Sequence, residues 1–479
     1  MTQLTIVQQN DTHGYIESHA EFFWKAGKPE YRQAGGYARI AHVVKEIKKN
    51  NRNVLFFDGG DFLHGTGPAV LTQGSSIIPL MNAMELDAAV PGNWDFAYGS
   101  DLVLQLQEHF TFPILALNLK NKDNNKYVFN PYIIKEIDSL RVGIIGLTSP
   151  HVQETMPPSF SDHLSFSLGV EELPAVIQKL KAEERADLII LVSHMGLPLD
   201  VKLASQIEGI DIILSGHSHD RLNRPIVQNG CVIIQSGASA SFLGKLDVTV
   251  EEGKITNFTH ELIPIYADQY EEDAEIKSMI DEALLPFRDP LSESIGTIRT
   301  PLHRMTLQEA PMDRLITDAY LAQTDADVSF SHGWRYGAPV LPGGVTMNDL
   351  YNIIPTNPEL FILEMDGATL LSVLERNLEQ VFASDPYQQK GGYILRSSNL
   401  MMAYKPYNPA GHRIQHIEIK GKALQDDRIY RVAGAGEQLF MKHANGRKMQ
   451  GVHAHEVLKS YFASKGEIIV SDKPSIISI

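Results

Sequence analysis

Leu188-Ile189-Ile190-Leu191-Val192 runs straight into Ser193-His194-Met195-Gly196. Five apolar residues in a row, three of them β-branched, read as a short buried strand, and a polar turn follows it without a spacer. Residues 170–184, just before it, carry the spacing of an amphipathic helix. The same unit recurs on both sides. Downstream, residues 210–214 lead into Ser215-Gly216-His217-Ser218-His219, and residues 232–235 into Ser236-Gly237-Ala238. Upstream, residues 4–9 open into Asn10-Asp11-Thr12-His13-Gly14, residues 54–57 into Asp58-Gly59-Gly60-Asp61, and Ala88-Ala89-Val90 into Pro91-Gly92-Asn93-Trp94-Asp95-Phe96-Ala97. Residues 114–117 and 141–147 read as further strands, the second ending in Thr148-Ser149-Pro150, while residues 36–49 and 77–84 read as helices. Short strands alternating with helices, with polar residues at the strands' carboxyl ends, describe a layered α/β domain whose ligand site lies where those ends converge.

After about residue 264 the texture changes. Residues 271–287 are acidic with apolar Ile276, Met279, Ile280 and Leu284 at helical spacing, which predicts a connecting helix stopped by Pro286 and Pro290. A second α/β domain follows, with helices over 312–323 and 369–381 and strands over 361–364, 416–419 and 430–433. The expected division is therefore 1–268, a linker at 269–294, and 295–479.

Composition agrees with a folded, soluble chain of more than one core: 479 residues, 43% hydrophobic and 21% charged. No run approaches the roughly 20 apolar residues of a membrane span. Residues 1–9 lack the order of a secretory leader, so the expected location is the cytoplasm, with no membrane partner. Cys231 is the single cysteine, inside Cys231-Val232-Ile233-Ile234, and reads as a small buried hydrophobe. With 42 basic against 58 acidic residues, net −16, the charge balance argues against nucleic acid as a bulk partner. A small anion is not excluded, because bound divalent cations reverse the field inside one site.

The strand ends together supply Asp11, His13, Asp61, Asn93, His194, His217 and His219. Two cations about 3.5–4 Å apart need a carboxylate to bridge them and neutral imidazoles to complete each shell, with few enough anions that water or substrate still binds. Two Asp, four His and one Asn meet that need, with manganese the first expectation and zinc, iron or cobalt also suited.

The order Asp-x-His, Gly-Asp, Gly-Asn-x, Ser-His-Met-Gly and Gly-His-x-His resembles the calcineurin-like metallophosphoesterase superfamily, and the two-domain layout resembles its 5′-nucleotidase branch. The resemblance implies a four-layer αββα metallophosphoesterase domain and a smaller C-terminal α/β domain that recognises substrate. It implies one metal on Asp11, His13, Asp61 and His219 and another on Asp61, Asn93, His194 and His217, with Asp61 bridging. A hydroxide between the metals would attack a phosphorus or sulfur centre.

One motif departs from the superfamily. Its usual Gly-Asn-His-Glu-Phe-Asp stands here as Gly92-Asn93-Trp94-Asp95-Phe96-Ala97. Trp94 replaces the histidine that serves the leaving group and Ala97 the aspartate that orients it. Indole cannot titrate, so the reaction needs another acid, for which His64 and Asp95 are candidates, or a leaving group of low pKa. Gly-x-Trp-acid-Phe is similar to the superfamily's thiosulfohydrolase branch, which hydrolyses a sulfonate from a carrier-bound persulfide. Gly333-Trp334-Arg335-Tyr336-Gly337, the run Asp385-Pro386-Tyr387-Gln388-Gln389-Lys390-Gly391-Gly392, and Arg431-Val432-Ala433-Gly434 look like segments of that branch too. By resemblance Arg335 would grip substrate oxyanions, with Trp94, Gly391 and Gly392 also toward substrate. The nucleotidase's Pro-Phe before Asn stands here as Pro355-Thr356-Asn357; Tyr387, Tyr393 and Phe440 are expected to pack rather than stack on a base. His453 and His455 are expected at the surface.

Three readings follow. The first is a hydrolase of phosphate esters or anhydrides acting on a small anion, nucleotide-like by family. The second is a thiosulfohydrolase-like hydrolase of S-sulfonates, which alone would need a carrier protein. The third is a metal- and ligand-binding protein with little turnover.

Overall fold

The computed structural model describes residues 1–307, 310–471 and 473–479. Contacts divide the chain into two units, Met1–Glu21 with Arg32–Pro286, and Phe22–Tyr31 with Phe287–Ile479.

The first unit holds two sheets. One orders its strands as Lys254–Pro264, Phe242–Glu251, Thr2–Gln9, Val54–Asp58 and Ala88–Ala89. The other runs Ile226–Gln228, Cys231–Ile234, Ile212–Ser215, Leu188–Ser193, Leu140–Leu147 and Tyr132–Ile137. Their inner faces share one core: Leu4, Ile6, Leu55 and Phe57 from the first sheet and Val142, Ile144, Leu188, Ile190, Val192 and Leu214 from the second. The alternate residues Val7, Phe56, Ile189 and Leu191 are also fully buried on the opposite faces, as strands covered on both sides require.

Register sets where the turns emerge. Gln9 pairs in parallel with Asp58, and Ser193 in parallel with both Ser215 and Leu147. Neighbouring parallel strands therefore end level, and their turns leave the sheets together.

Two expectations change. Residues 114–117 form no strand; Ile114 and Leu115 make only isolated bridges, to Ala89 and Asn130. The helix expected as a connector is Ala274–Leu284, and it belongs to the first unit, where Arg39 pairs with Glu272 and Lys45 with Asp273 just before it.

The second unit centres on a five-stranded sheet ordered Arg396–Ser398, Val328–Ser331, Ile429–Ala435, Glu359–Asp366 and Lys448–His453. Helix Gly367–Phe382 buries Leu370, Leu374 and Leu378 in the same core as Val328, Phe361 and Val432. That helix starts at Asp366, whose side chain accepts from the Thr369 amide.

Candidate metal centre

Each ligand-type residue stands one to four positions beyond the end of its strand. Five of the seven adopt left-handed backbone: Asp11 (φ 52°), His13 (48°), Asp61 (59°), His217 (70°) and His219 (61°). Such conformations cost non-glycine residues ~1 kcal/mol or more each, so the surroundings must hold them. Packing is correspondingly close: a Cβ on Gly92 would stand 2.1 Å from Asp61 Oδ1.

Two groups of ligand atoms result, Asp11 with His13 and His219, and Asp61 with His194 and His217, each drawn together within 4.8 Å. Asp61 faces both, its Oδ2 lying 3.3 Å from His194 Nε2 and 3.9 Å from His13 Nε2. Its Oδ1 accepts from the Trp94 amide at 2.7 Å. Asp11 Oδ1 is 3.1 Å from His219 Nε2, while Asp11 Oδ2 accepts from the His217 amide at 2.9 Å.

The donor set fits divalent cations. His13 Nδ1 lies 3.1 Å from the His64 carbonyl and His194 Nδ1 2.6 Å from the Gly59 carbonyl. A ring that donates through Nδ1 presents a lone pair at Nε2, the arrangement of a metal ligand with its supporting partner. Asn93 Oδ1 is buried with no hydrogen-bond partner among the described residues, and the equally buried Asp11 Oδ1 and His194 Nε2 lie against other ligand-type side chains of the site. Buried polar atoms are normally satisfied, so an orphaned amide oxygen beside acids and imidazoles crowded together fits a site for ions.

The charges agree. Burial favours the neutral forms of Asp11 and Asp61, but the surrounding histidines outweigh it and hold both carboxyls below their ordinary value. Burial likewise resists a proton on His194, yet Asp61 and Asp11 raise that ring to about 9. A proton there does electrostatically what a cation between the carboxylates would do. Burial pushes His13 down to about 4.

Asp95 lies beneath the turns. Its carboxylate accepts the amides of Asp61, Phe62, Leu63 and Gly92 at 2.7–2.9 Å. Burial and Asp61 push it up to about 7, against the pull of the Gly92 and Leu63 amides. With four donors on two oxygens it serves as a clamp on the backbone and has no lone pair left for a substrate.

His64 is buried and stacks on Trp94, centroids 4.8 Å apart and planes 8° from parallel, with Phe160 edge-on to the indole at 6.1 Å. Tyr98 hydroxyl stands 3.1 Å from His64 Nδ1, 3.1 Å from the Ala69 carbonyl and 3.3 Å from the Leu63 carbonyl. The Tyr98 hydroxyl thus ties the Nδ1 side of the His64 ring to the backbone of the neighbouring turn. Burial, reinforced by His13, lowers the ring to about 3. This geometry does not equip His64 to give a proton to a leaving group.

In the second unit Arg335 is half-buried in the segment after strand Val328–Ser331, between Gly333 and Gly337, both with positive φ. Gly391 and Gly392 (φ 76° and 77°) make a turn that glycine accommodates. Tyr387 and Phe440 are buried, as expected of packing residues, and the half-buried Tyr393 ring lies 5.3 Å from the Arg396 guanidinium. Cys231 is buried and its thiol is pushed up by burial, away from nucleophilic use. His455 differs from expectation: it is 3% exposed and its Nε2 donates to the Ile354 carbonyl at 2.9 Å.

Sequence reading overlooked Gln235, which is fully buried and hydrogen-bonded to the loop of His217 and His219. Its place at the end of strand Cys231–Ile234 was the available signal, but glutamine is not a ligand type.

Residues 4–221 match the calcineurin-like phosphoesterase family, and residues 294–442 match the 5′-nucleotidase C-terminal domain. A 5′-nucleotidase of Vibrio cholerae is 25% identical over 98% of this chain and 92% of its own length. The solved sulfate thiohydrolase SoxB of Thermus thermophilus, in complex with glycerol, is 26% identical with a TM-score of 0.92, covering 99% of this chain and 96% of that one. A 5′-nucleotidase precursor, also from Thermus thermophilus, is 24% identical with a TM-score of 0.89 over 100% of this chain and 99% of its own, and shares the fold. Metallophosphoesterases of this kind use two divalent metal ions. With both domains matched in order and two ligand clusters meeting at Asp61, the chain belongs to the metallophosphoesterase family of 5′-nucleotidase type, a calcineurin-like phosphoesterase domain followed by a 5′-nucleotidase C-terminal domain.

Proposed function

We propose that the chain hydrolyses esters or anhydrides of phosphate in small, nucleotide-like anions, with two divalent cations, manganese foremost. Asp11, His13 and His219 would hold one and Asn93, His194 and His217 the other, with Asp61 between them. The observation that carries this reading is the pair of three-ligand clusters faced by one Asp61 oxygen. Such cations, when bound, lower the pKa of water and neutralise charge on substrate oxygens.

The chain's own residues narrow the substrate. Trp94 stands where the family places its proton donor, and its ring is stacked on a buried His64 whose Nδ1 is hydrogen-bonded with the Tyr98 hydroxyl. A site without an acid suits leaving groups of low pKa, such as phosphate, a phenolate or a thiolate. Arg335 supplies a planar fork for an oxyanion in this reading. Replacement by lysine is expected to raise KM for a phosphate substrate ~10-fold with kcat within ~2-fold, the signature of binding shared by ground and transition states.

Turnover of p-nitrophenyl phosphate, a nucleoside monophosphate and alkyl phosphates with added manganese tests the proposal. Rates should fall steeply as the leaving group's pKa rises; equal rates overturn the acid-free chemistry. Trp94 and the likeness to a sulfate thiohydrolase favour a second reading, hydrolysis of an S-sulfonate with a thiolate leaving. Release of sulfate and a free thiol from an S-sulfonate, with no phosphate turned over, would select it.

A further inference from the structure

We infer that Gln235 is the positioning residue that fixes the His217–His219 loop for metal binding, an inference that rests on the dinuclear reading above. A glutamine amide can make four hydrogen bonds, two as donor and two as acceptor. Gln235 makes all four, and all go to one loop. Nε2 donates to the Gly216 carbonyl at 2.6 Å and to Ser215 Oγ at 3.0 Å. Oε1 accepts from Ser218 Oγ at 3.1 Å and from the Asp220 amide. The amide's orientation is fixed, because the Gly216 carbonyl can only accept and the Asp220 amide can only donate.

The bonded residues alternate with the ligands. Ser215 and Gly216 precede His217, Ser218 separates the two histidines, and Asp220 follows His219. Both histidines hold left-handed backbone, φ 70° and 61°, which an unrestrained loop would relax. Gln235 is 0% exposed and its position is set by the strand Cys231–Ile234, paired in parallel with Ile212–Ser215. The restraint extends to a third ligand: Ser218 Oγ also accepts from the Leu197 amide at 3.0 Å, three residues after His194. His217 and His219 fall in different clusters, so one amide aligns ligands of both metals.

Groups that orient metal ligands from behind govern affinity more than overall folding. Manganese titration of the whole chain by calorimetry, beside thermal melting without metal, distinguishes the two roles. Gln235→Ala should weaken manganese binding ~10–100-fold. Gln235→Glu keeps the size and the Oε1 acceptor but replaces the donor to Gly216, and should weaken it in the same direction if the alanine variant does not fold. Asn352→Ala, which removes a buried amide bonded to Ala338 in the second unit, should lower the melting temperature and leave manganese affinity unchanged. Affinity within ~2-fold of wild type in a folded Gln235 variant overturns this inference alone. Wild-type chain that takes up no manganese, zinc, iron or cobalt overturns the metal reading and this inference with it.

Discussion

Asp95 shows how one side chain secures a site it does not enter. Its four amide partners belong to the turns that present Asp61 and Asn93. Asn has one acceptor oxygen where Asp has two, so Asp95→Asn leaves two buried amides facing an NH2 group. The substitution should cost about 3 kcal/mol, measured by urea denaturation without metal; a loss under ~1 kcal/mol would show that the clamp is dispensable. Trp94 and Ala97 make a second residue-scale case. The Ala97 amide donates to the Trp94 carbonyl at 3.0 Å, so the two positions share one turn and an Asp at 97 could orient a His at 94. Trp94→His with Ala97→Asp should raise turnover of alkyl phosphates ~10²-fold, whereas Trp94→His alone should not. Ligand types at strand ends were legible in sequence because a metal site demands Asp, His and Asn together. Gln235 was not, because an amide that bonds backbone looks like any polar residue until its four partners are placed.

Elements were legible where one period dominated. Residues 188–192 could only be a buried strand, and residues 36–49 carry a stripe that becomes helix Tyr37–Asn50. Residues 114–117 misled because apolar character was read as pairing, and the chain there crosses the sheet edge with two bridges only. Helix Ala274–Leu284 depends on a cap that sequence spacing did not reveal: Asp273 accepts from the Ile276 amide at 3.1 Å and pairs with Lys45 at 2.6 Å. Asp273→Ala should cost about 1 kcal/mol, read from the denaturation midpoint of the whole chain. Helix Ala454–Lys465 gives the pH prediction. Burial lowers His455 from 6.5 to about 4. Between those values the unfolded chain binds a proton that the folded one refuses, so stability is full above pH 6.5 and falls as pH drops toward 4. The loss reaches about 3 kcal/mol for this one ring. His455→Gln, which retains a donor toward the Ile354 carbonyl, should flatten the stability difference between pH 7 and pH 5; an unchanged slope would place the acid sensitivity elsewhere.

The two units have separate cores, and both three-ligand groups found among the described residues lie in the first. Metal should therefore stabilise the molecule unevenly. A cation that binds only the folded form adds about 2.7 kcal/mol at a hundred times its dissociation constant. That energy is delivered to turns whose left-handed backbone and adjacent carboxylates otherwise oppose order, with net charge −16 on the chain adding repulsion. Hydrogen exchange with manganese and after chelation reads the effect segment by segment. Chelation should speed exchange of the Gly59–Asp61, Gly92–Asp95 and Gly216–Asp220 amides by up to ~100-fold, the factor that energy corresponds to. Exchange in strands Val328–Ser331 and Ile429–Ala435 should stay unchanged. Equal loss of protection in both units would mean that metal is felt through the whole chain, and the strain held at the five left-handed turn residues would then be balanced by global rather than local order.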